Sequence, residues 1–279
     1  MPVTLVFATD LHGSTHAYDA LFGHGRGRPC HDHADAIVLG GDLLPHGTLG
    51  PQGAFVREQL GLRLRRFHKE HADIKVFGML GNDDWSVFER DLEDLERDGA
   101  FFLIHQRAHA LARGLWIAGS SFVPVTPFGM SDYDRLDAPG WKPPAKFCPA
   151  YFSTPDGIVG CPMSEFSRRE TLQECLAALA AKSAPAKTVY VFHAPPLRTK
   201  LDQLQDRTHV GSAAIRAFIE KHQPPVTLHG HIHESPLVSG SMSDTIGRTL
   251  ALNPGDSRTK LRALRITADG ARIEWRLLP

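Results

Sequence analysis

Short apolar runs recur along the chain, and each is followed by a turn rich in polar residues. The first run is Val3–Ala8, and similar runs occupy residues 36–39, 74–79, 188–192 and 225–228. A continuous, β-branched apolar run of about four to eight residues is typical of a strand buried on both faces of a sheet. We therefore predict five buried strands.

Between these strands, apolar residues recur three or four positions apart, as one buried face of a helix requires. Ser14 and Ser212 precede two such patterns and are suitable helix N-caps. A further helix is predicted over residues 165–182. The apolar positions of the other helical patterns are Ala17, Leu21, Phe22; Val56, Leu60, Leu64, Phe67; Trp85, Phe88, Leu92, Leu95; and Ile215, Phe218, Ile219.

Two regions have a pattern typical of antiparallel strands. Residues 101–104, 109–111 and 115–118 follow one another without room for helices, which predicts an antiparallel portion of sheet. Near the end of the chain, Ile273, Trp275 and Leu277 alternate with charged residues, as in a strand with one face in water.

Residues 126–165 contain seven prolines interleaved with aromatic residues. They show neither the helical spacing nor the apolar runs or alternation of a strand. A loop of this length is usually functional or disordered. We interpret it as a lid insertion over the functional site, with a surface excursion as the alternative. The chain is otherwise predicted to form a single domain over residues 1–279.

Composition narrows the class of protein. With 279 residues and 42% hydrophobic content, the chain can bury a full core. Lys plus Arg and Asp plus Glu both total 31, so no net charge favours nucleic acid or an anionic membrane. The four cysteines are widely spaced, which predicts a reducing, cytoplasmic location. No apolar stretch approaches the length of a membrane span, and the N-terminal run is too short for a signal peptide.

Candidate metal ligands follow each of the five predicted strands. In α/β sheets the carboxyl ends of the strands face one crevice, so these distant residues should converge. Seven ligands are too many for one tetrahedral ion and suit two ions that share a carboxylate. Without a thiolate, the set favours manganese, iron, zinc or nickel in a catalytic centre. The candidates are Asp10, His12, Asp42, Asn82, His193, His231 and His233.

These blocks resemble the calcineurin-like metallophosphoesterases, whose pattern is Asp-x-His, Gly-Asp, Gly-Asn-His-Asp/Glu, His and Gly-His-x-His. The blocks occur in order over nearly the whole chain, with residues 126–165 and the last twenty least matched. His209–Ser212 and the Asn253-Pro254-Gly255 stretch look most like the Icc-related branch. The resemblance implies a four-layer α/β/β/α sandwich of two mixed β-sheets flanked by helices.

The resemblance also implies a dinuclear centre that hydrolyses phosphoesters with a metal-bridging hydroxide. Asp42 would bridge the two ions, and manganese or iron is favoured as their identity. A phosphodiester is favoured over a monoester as the substrate. The first metal would be held by Asp10, His12, Asp42 and His233, and the second by Asp42, Asn82, His193 and His231.

Asp83 departs from the pattern, because it stands where the family usually has a histidine. A carboxylate beside two cations stays ionised and is a poor general acid. Water or another histidine could protonate the leaving group instead, or the substrate could have a leaving group that needs little protonation. His46 is one candidate acid, and His209 precedes a helix whose Gly211 and Ser212 amides could face a phosphate.

The remaining polar residues near these motifs have several candidate roles. Asp84 either hydrogen-bonds a ligand or caps the helix that follows it. His31 and His33 lie before a strand, away from the crevice, and are interpreted as surface residues. His229 is expected to support or pack against the site, because the same turn already supplies two imidazoles.

A small-molecule phosphoester is the favoured substrate. Nucleic acid is an alternative that would need a basic track, and the basic face between Arg57 and Lys69 is the candidate, although a solvated helix face explains it better. Protein phosphatases are disfavoured because the Gly-Asp block does not continue into Val-Asp-Arg-Gly. If the aspartate at position 83, in place of the family's histidine, abolished turnover, the protein would be a metal-dependent sensor of a phosphate ligand.

Overall fold

The computed structural model describes residues 2–23, 30–125, 131–142, 150–269 and 272–278. The strands are β1 Val3–Ala8, β2 Ala36–Leu39, β3 Lys75–Gly78, β4 Phe102–Leu103, β5 Ala108–Ala112, β6 Leu115–Ser120, β7 Val123–Pro124, β8 Asp134–Arg135, β9 Ala150–Thr154, β10 Gly157–Cys161, β11 Thr188–Phe192, β12 Val226–Leu228, β13 Ser243–Ile246, β14 Thr249–Leu252, β15 Ala263–Asp269 and β16 Arg272–Leu277. The α-helices are α1 Thr15–Leu21, α2 Leu49–Phe55, α3 Gly61–Glu70, α4 Glu89–Arg97, α5 Met163–Phe166, α6 Leu172–Ala180, α7 Ala213–His222 and α8 Ser235–Ser239.

Two six-stranded mixed sheets form the centre of the molecule. The first has the order β16-β15-β1-β2-β3-β4, in which β1 to β4 are parallel and β15 and β16 are antiparallel additions. The second has the order β13-β14-β12-β11-β6-β5, with parallel pairing from β14 through β6. Helices flank both sheets, which confirms the predicted fold class.

The side-chain alternation of the strands separates two cores. In β2, Ala36 and Val38 join a cluster that includes Val189 and Val191 from the other sheet. Ile37 and Leu39 point to the opposite face and join the cluster that contains the flanking helices. Both faces of the strand are therefore buried, as its unbroken apolar run predicted.

The predicted helical stripes are buried as expected. Val56, Leu60, Leu64 and Phe67 are each at most 1% exposed. They lie on one continuous helical stretch in which α2 passes through a π-helical segment, Val56–Leu60, into α3. In the predicted helical pattern from Trp85 to Leu95, a 3₁₀ turn at Ser86–Phe88 leads directly into α4.

Two predictions were wrong in detail. Residues 102–103 do not pair with the hairpin that follows; β4 extends the first sheet parallel to β3, whereas β5 and β6 form an antiparallel pair in the second. The helix predicted over 165–182 is interrupted between α5 and α6. Thr171 and Glu174 form a reciprocal capping box, and this local hydrogen bonding begins a new helix at Leu172.

Parts of the predicted lid, residues 126–130 and 143–149, lie outside the described residues. The described parts include β8, the β9–β10 hairpin and α5. Asp132 accepts hydrogen bonds from the amides of Ser153 on the hairpin and Ser86, so this segment is fastened beside the turn that leads into α4. Whether it acts as a lid stays a prediction. In the described part of the chain, no helix is long and apolar enough to cross a membrane.

Candidate metal centre

The loops at the carboxyl ends of five central strands bring the predicted ligands together. Asp42, after β2, has its Oδ2 atom 3.8 Å from His12 Nε2 and 3.3 Å from His193 Nε2. The Oδ1 atom of Asn82 lies 2.9 Å from His193 Nε2 and 2.6 Å from His231 Nδ1. Asp42 therefore lies between two groups of ligands.

Asp10 and His233 complete the arrangement on the side of His12. The amide of His231 donates to Asp10 Oδ1 at 3.1 Å, which joins the loop after β12 to the loop after β1. The ring of His233 meets the ring of His12 edge-on, with centroids 6.1 Å apart. All seven predicted ligand residues consequently lie in one cluster.

The backbone of several ligand residues is strained. Asp10, His12, Asp42 and His231 have φ angles of 52°, 43°, 51° and 64°. Non-glycine residues rarely adopt this left-handed conformation, which costs about 1 to 3 kcal/mol per residue in such sites. Strain concentrated at four ligand residues is typical of a functional site.

Two glycines allow the ligand loops to approach one another. A Cβ atom added at Gly81 would lie 2.3 Å from Asp42 Oδ1, and one at Gly230 would lie 2.5 Å from Asp10 Oδ2. Any larger residue at either position would displace a ligand carboxylate. This explains why glycine precedes both Asn82 and His231 in the sequence.

The residues present fit divalent metal ions. Asp10 Oδ2 and both ring nitrogens of His12 are buried without a hydrogen-bond partner in the described structure. Unsatisfied buried polar atoms are costly and call for an explanation such as an ion. Carboxylate, imidazole and amide donors without a thiolate suit the first-row metals predicted from the sequence. One compact group is Asp10, Asp42 and His193, whose ligand atoms lie within 4.8 Å of one another.

Burial and neighbouring charges perturb the pKa values of the carboxylates in this cluster. Burial, together with the charge of Asp42, raises the pKa of Asp10 to about 6, although His193 opposes the shift. For Asp42 itself, burial raises the pKa, but the charge and hydrogen bond of His193 outweigh it and hold the pKa below its usual value. Bound cations would relieve the repulsion between these carboxylates.

The imidazoles are perturbed in opposite directions. Burial lowers the pKa of His12 to about 4 and that of His231 to about 3, so both are neutral and able to bind metal. Burial would also lower the pKa of His193, but the charges of Asp42 and Asp10 raise it to about 10. The charges of Asp42 and Asp10 thus favour positive charge at the position of the His193 ring.

Asp83 forms a bridge between two imidazoles. Its Oδ2 atom lies 2.9 Å from Nδ1 of His46 and 3.7 Å from Nδ1 of His12. The rings of His46 and His12 are stacked with centroids 4.2 Å apart. Burial, and then the charges of Asp42 and Asp84, raise the pKa of Asp83 to about 8. Asp83 is therefore associated with a histidine that comes from a different loop.

Asp84 has neither of the two roles predicted for it. Its carboxylate accepts hydrogen bonds from the amides of Leu43 and Leu44 at 2.9 and 2.8 Å, and from the amide of Gly81 at 2.8 Å. These amides belong to the loops that carry Asp42 and Asn82. Asp84 therefore fastens two ligand loops together.

Gln52 has a similar structural role that the sequence did not reveal. Its side-chain amide donates to the carbonyl groups of Pro45 and Asp83 at 3.1 and 2.6 Å, and its carbonyl accepts from the amide of Trp85 at 2.9 Å. A glutamine inside an amphipathic helical pattern gives no local signal of contacts to loops elsewhere in the chain. Gln52 therefore links α2 to the two loops that carry His46 and Asp83.

The other histidines differ from one another in environment. His209 Nδ1 lies 2.7 Å from Asp202, and the Gly211 and Ser212 amides bind Asp202 and the carbonyl of Pro195, so these amides do not face a ligand. His229 is fully buried, with Nδ1 2.9 Å from the carbonyl of Ala194, in agreement with a packing or supporting role.

His31 was wrongly predicted as a surface residue. It is only 3% exposed, and its ring packs against Phe67 and His71. The imidazole fills a gap beside α3, which the position of His31 before a strand does not reveal. His33 is a surface residue, with 83% of its side chain exposed.

The fold and the ligand cluster together define a class of metal-dependent phosphoester hydrolases. The chain belongs to the calcineurin-like phosphoesterase family, whose model matches residues 3–235. A search of curated proteins finds no match.

Solved structures are similar in fold. One solved structure has a TM-score of 0.64 and 15% identity to this chain, with all of both chains covered. Another, TT1561 of Thermus thermophilus, has a TM-score of 0.58 and 17% identity, with 99% of each chain covered. At these identities the likeness concerns the fold.

Proposed function

We propose that the protein is a dinuclear metal-dependent phosphodiesterase that hydrolyses a small-molecule diester. The observation that carries this proposal is the position of Asp42 between the imidazoles of His12 and His193. A shared carboxylate is the feature that a pair of ions requires. Asp10, His12, Asp42 and His233 would hold one ion, and Asp42, Asn82, His193 and His231 the other.

When bound, two divalent ions neutralise phosphate charge and lower the pKa of a water, so that hydroxide is available at neutral pH. The chain supplies the imidazoles and carboxylates that would hold these ions. Manganese or iron is favoured among the ions that suit these donors. A cytoplasmic location is part of the proposal, and the described cysteines Cys30, Cys161 and Cys175 are free thiols, in keeping with it.

His46 is the proposed proton donor to the leaving group. Its Nδ1 atom lies 2.9 Å from Asp83 Oδ2, so the side chain of Asp83 orients the ring. More than half of the His46 side chain, 56%, is exposed, so a substrate can reach the ring. Asp83 thus acts as a positioning residue, and His209, bound to Asp202, is the less favoured candidate.

A diester suits the pocket better than a monoester. The pocket wall carries Glu234, a carboxylate outside the set of candidate metal ligands. Since a monoester is a dianion near neutral pH and a diester a monoanion, this carboxylate repels the monoester more strongly. This is our reason for preferring phosphodiesterase activity.

The test is hydrolysis of bis(p-nitrophenyl) phosphate and p-nitrophenyl phosphate with added manganese, repeated with Asp42→Asn. We expect faster hydrolysis of the diester and a loss of at least about a hundredfold in Asp42→Asn, because one shared ligand serves both ions. Absence of activity with manganese, iron, zinc and nickel would overturn the enzyme proposal in favour of a ligand sensor. Unchanged activity in Asp42→Asn would overturn the assignment of the site.

Nuclease activity is less well supported. Arg63, Arg65 and Arg66 on the basic face of α3 form ion pairs with Asp19, Asp98 and Glu70 at 2.8 to 2.9 Å. Arginines already paired with carboxylates offer little net charge to a phosphate backbone. Reversing the charges on this face should leave diester hydrolysis unchanged.

A further inference from the structure

We propose that Leu204 and Glu234 form a specificity wall in the metal pocket, which selects diesters whose retained ester substituent is neutral and apolar. The retained substituent is the one that stays on phosphorus after the leaving group departs. This inference rests on the proposed function, and it concerns which diesters the same site prefers.

The specificity wall borders the ligand cluster directly. The pocket is lined by Leu204, Ile232 and Glu234 in addition to ligand residues and Asp83. Ile232 is only 1% exposed, whereas Leu204 is partly exposed and presents apolar surface beside ionic groups. Contact with an apolar substituent would remove this surface from water.

The loop that carries Leu204 is closed on itself by Asp202. This fully buried carboxylate accepts from the amides of Arg198 and Thr199, at 2.9 and 2.8 Å, on one side of the loop. On the other side it accepts from the Gly211 amide at 3.1 Å, and His209 Nδ1 lies 2.7 Å away. Both ends of the loop are therefore held at one point.

Further contacts fix this loop against the loop that carries Glu234. The Gln203 amide donates to Ser235 Oγ at 2.9 Å, and Ser235 Oγ donates to the carbonyl of Lys200 at 2.9 Å. Gln203 precedes Leu204 and Ser235 follows Glu234. The two residues of the specificity wall are thus held in a preformed arrangement, which limits the entropy lost when substrate binds.

Charge determines which substituents the wall admits. Glu234 Oε2 lies 3.7 Å from His233 Nδ1, and no lysine or arginine is among the described residues that line the pocket. Arg258 is electrostatically coupled to Asp10 and Asp83, but its guanidinium is bound to Asp256 through Nε and Nη2 at 2.8 and 2.7 Å. A substituent with its own negative charge would therefore meet Glu234 without a lysine or arginine from the described pocket lining to compensate it.

The retained substituent is assigned to the wall because the leaving group has another destination. The proposed donor, His46, is bound to Asp83 and comes from the loop after β2. A leaving group must reach this donor to be protonated. The retained ester substituent, which is equatorial in an in-line displacement, is then left to contact residues from the loops after β11 and β12, which carry Leu204 and Glu234.

The test uses manganese-loaded full-length protein and three diesters that share p-nitrophenolate as the leaving group. Their retained substituents are methyl, phenyl and 4-carboxyphenyl. We expect kcat/KM for phenyl to exceed that for methyl by about tenfold, and Leu204→Ala to reduce the ratio to about twofold. Glu234→Gln should raise the carboxyphenyl-to-phenyl ratio by about fivefold or more, because a like charge is removed.

Matched controls are Leu62→Ala and Glu70→Gln, which make the same changes on α3, and both ratios should stay at their wild-type values. Ratios between substrates do not depend on the fraction of folded enzyme, so a partly unfolded variant remains informative. A wild-type phenyl-to-methyl ratio near one, or ratios that do not move in Leu204→Ala and Glu234→Gln, would overturn the inference. Failure to hydrolyse any diester would instead overturn the proposed function.

Discussion

At the scale of single residues, the replacement of the family's histidine by Asp83 has a structural counterpart in His46. The carboxylate of Asp83 binds His46 at 2.9 Å, and His46 stacks on the candidate ligand His12. An imidazole and a carboxylate that are distant in sequence are therefore joined at the edge of the candidate metal centre. We infer that the proton donor has moved from the loop after β3 to the loop after β2.

This inference predicts a leaving-group dependence. For aryl methyl phosphodiesters whose phenols cover a range of pKa values, His46→Ala should slow the substrate with the poorest leaving group by about a hundredfold. Hydrolysis of the p-nitrophenyl ester should change little, because p-nitrophenolate departs without protonation.

The measurement is kcat across the series, plotted against phenol pKa. In Asp83→Asn, as in His46→Ala, kcat should fall more steeply as the phenol pKa rises, since the substitution removes the carboxylate that orients His46. His33→Ala, at an exposed position, serves as the control. An equal loss for every leaving group in His46→Ala would show that His46 has no role as a donor.

The same scale shows how far the site could be predicted from sequence. The seven ligand candidates could be named because each follows a buried strand, and parallel strands place such residues along one edge. The partnership of Asp83 with His46 could not be predicted, because it depends on the paths of two loops. Nor did any local pattern indicate the left-handed backbone of Asp10, His12, Asp42 and His231.

At the scale of secondary-structure elements, α2 does more than cover the first sheet. Its fully buried Gln52 hydrogen-bonds to Pro45, Asp83 and Trp85. One helix thus holds together the loops after β2 and β3, which carry the proposed donor and its partner. The helix contributes to the site through a hydrogen-bonding side chain rather than through apolar packing alone.

Removing these hydrogen bonds should destabilise the protein. Gln52→Leu leaves buried backbone groups without partners, and each such group costs about 1 to 3 kcal/mol. We expect the free energy of unfolding in urea to fall by about 3 kcal/mol. This is less than the summed cost of all the unpaired groups, because local relaxation recovers part of that cost. Gln59→Leu, at an exposed position in the same helical stretch, should change it by less than about 0.5 kcal/mol. Equal stability of the two variants would refute the role given to Gln52.

Element boundaries were predictable where apolar periodicity was long and unbroken. β1, β2 and β11 agree with their apolar runs because both faces of each strand are buried. The break between α5 and α6 was missed, although Thr171 and Glu174 have the spacing of a capping box. The pairing of β4 with β3 was also missed, since sequence proximity favoured the hairpin that follows.

At the scale of the whole molecule, two sheets share a core, and the edges of both carry the candidate metal ligands. Asp10, Asp42 and Asn82 come from the first sheet, and His193, His231 and His233 come from the second. The apolar cluster between the sheets contains residues of both, so it fixes the two halves of the site relative to each other. The single domain over residues 1–279 stays a prediction.

The central claim is that two ions share Asp42, and a crystal structure of manganese-loaded protein with anomalous diffraction data tests it most directly. We predict two anomalous peaks on either side of the Asp42 carboxylate, one near Asp10, His12 and His233 and one near Asn82, His193 and His231. The alternative group formed by His12, His46 and Asp83 also has ligand atoms within 4.8 Å of one another. A single peak, or a peak bound by that group in place of one beside Asp42, would contradict the account.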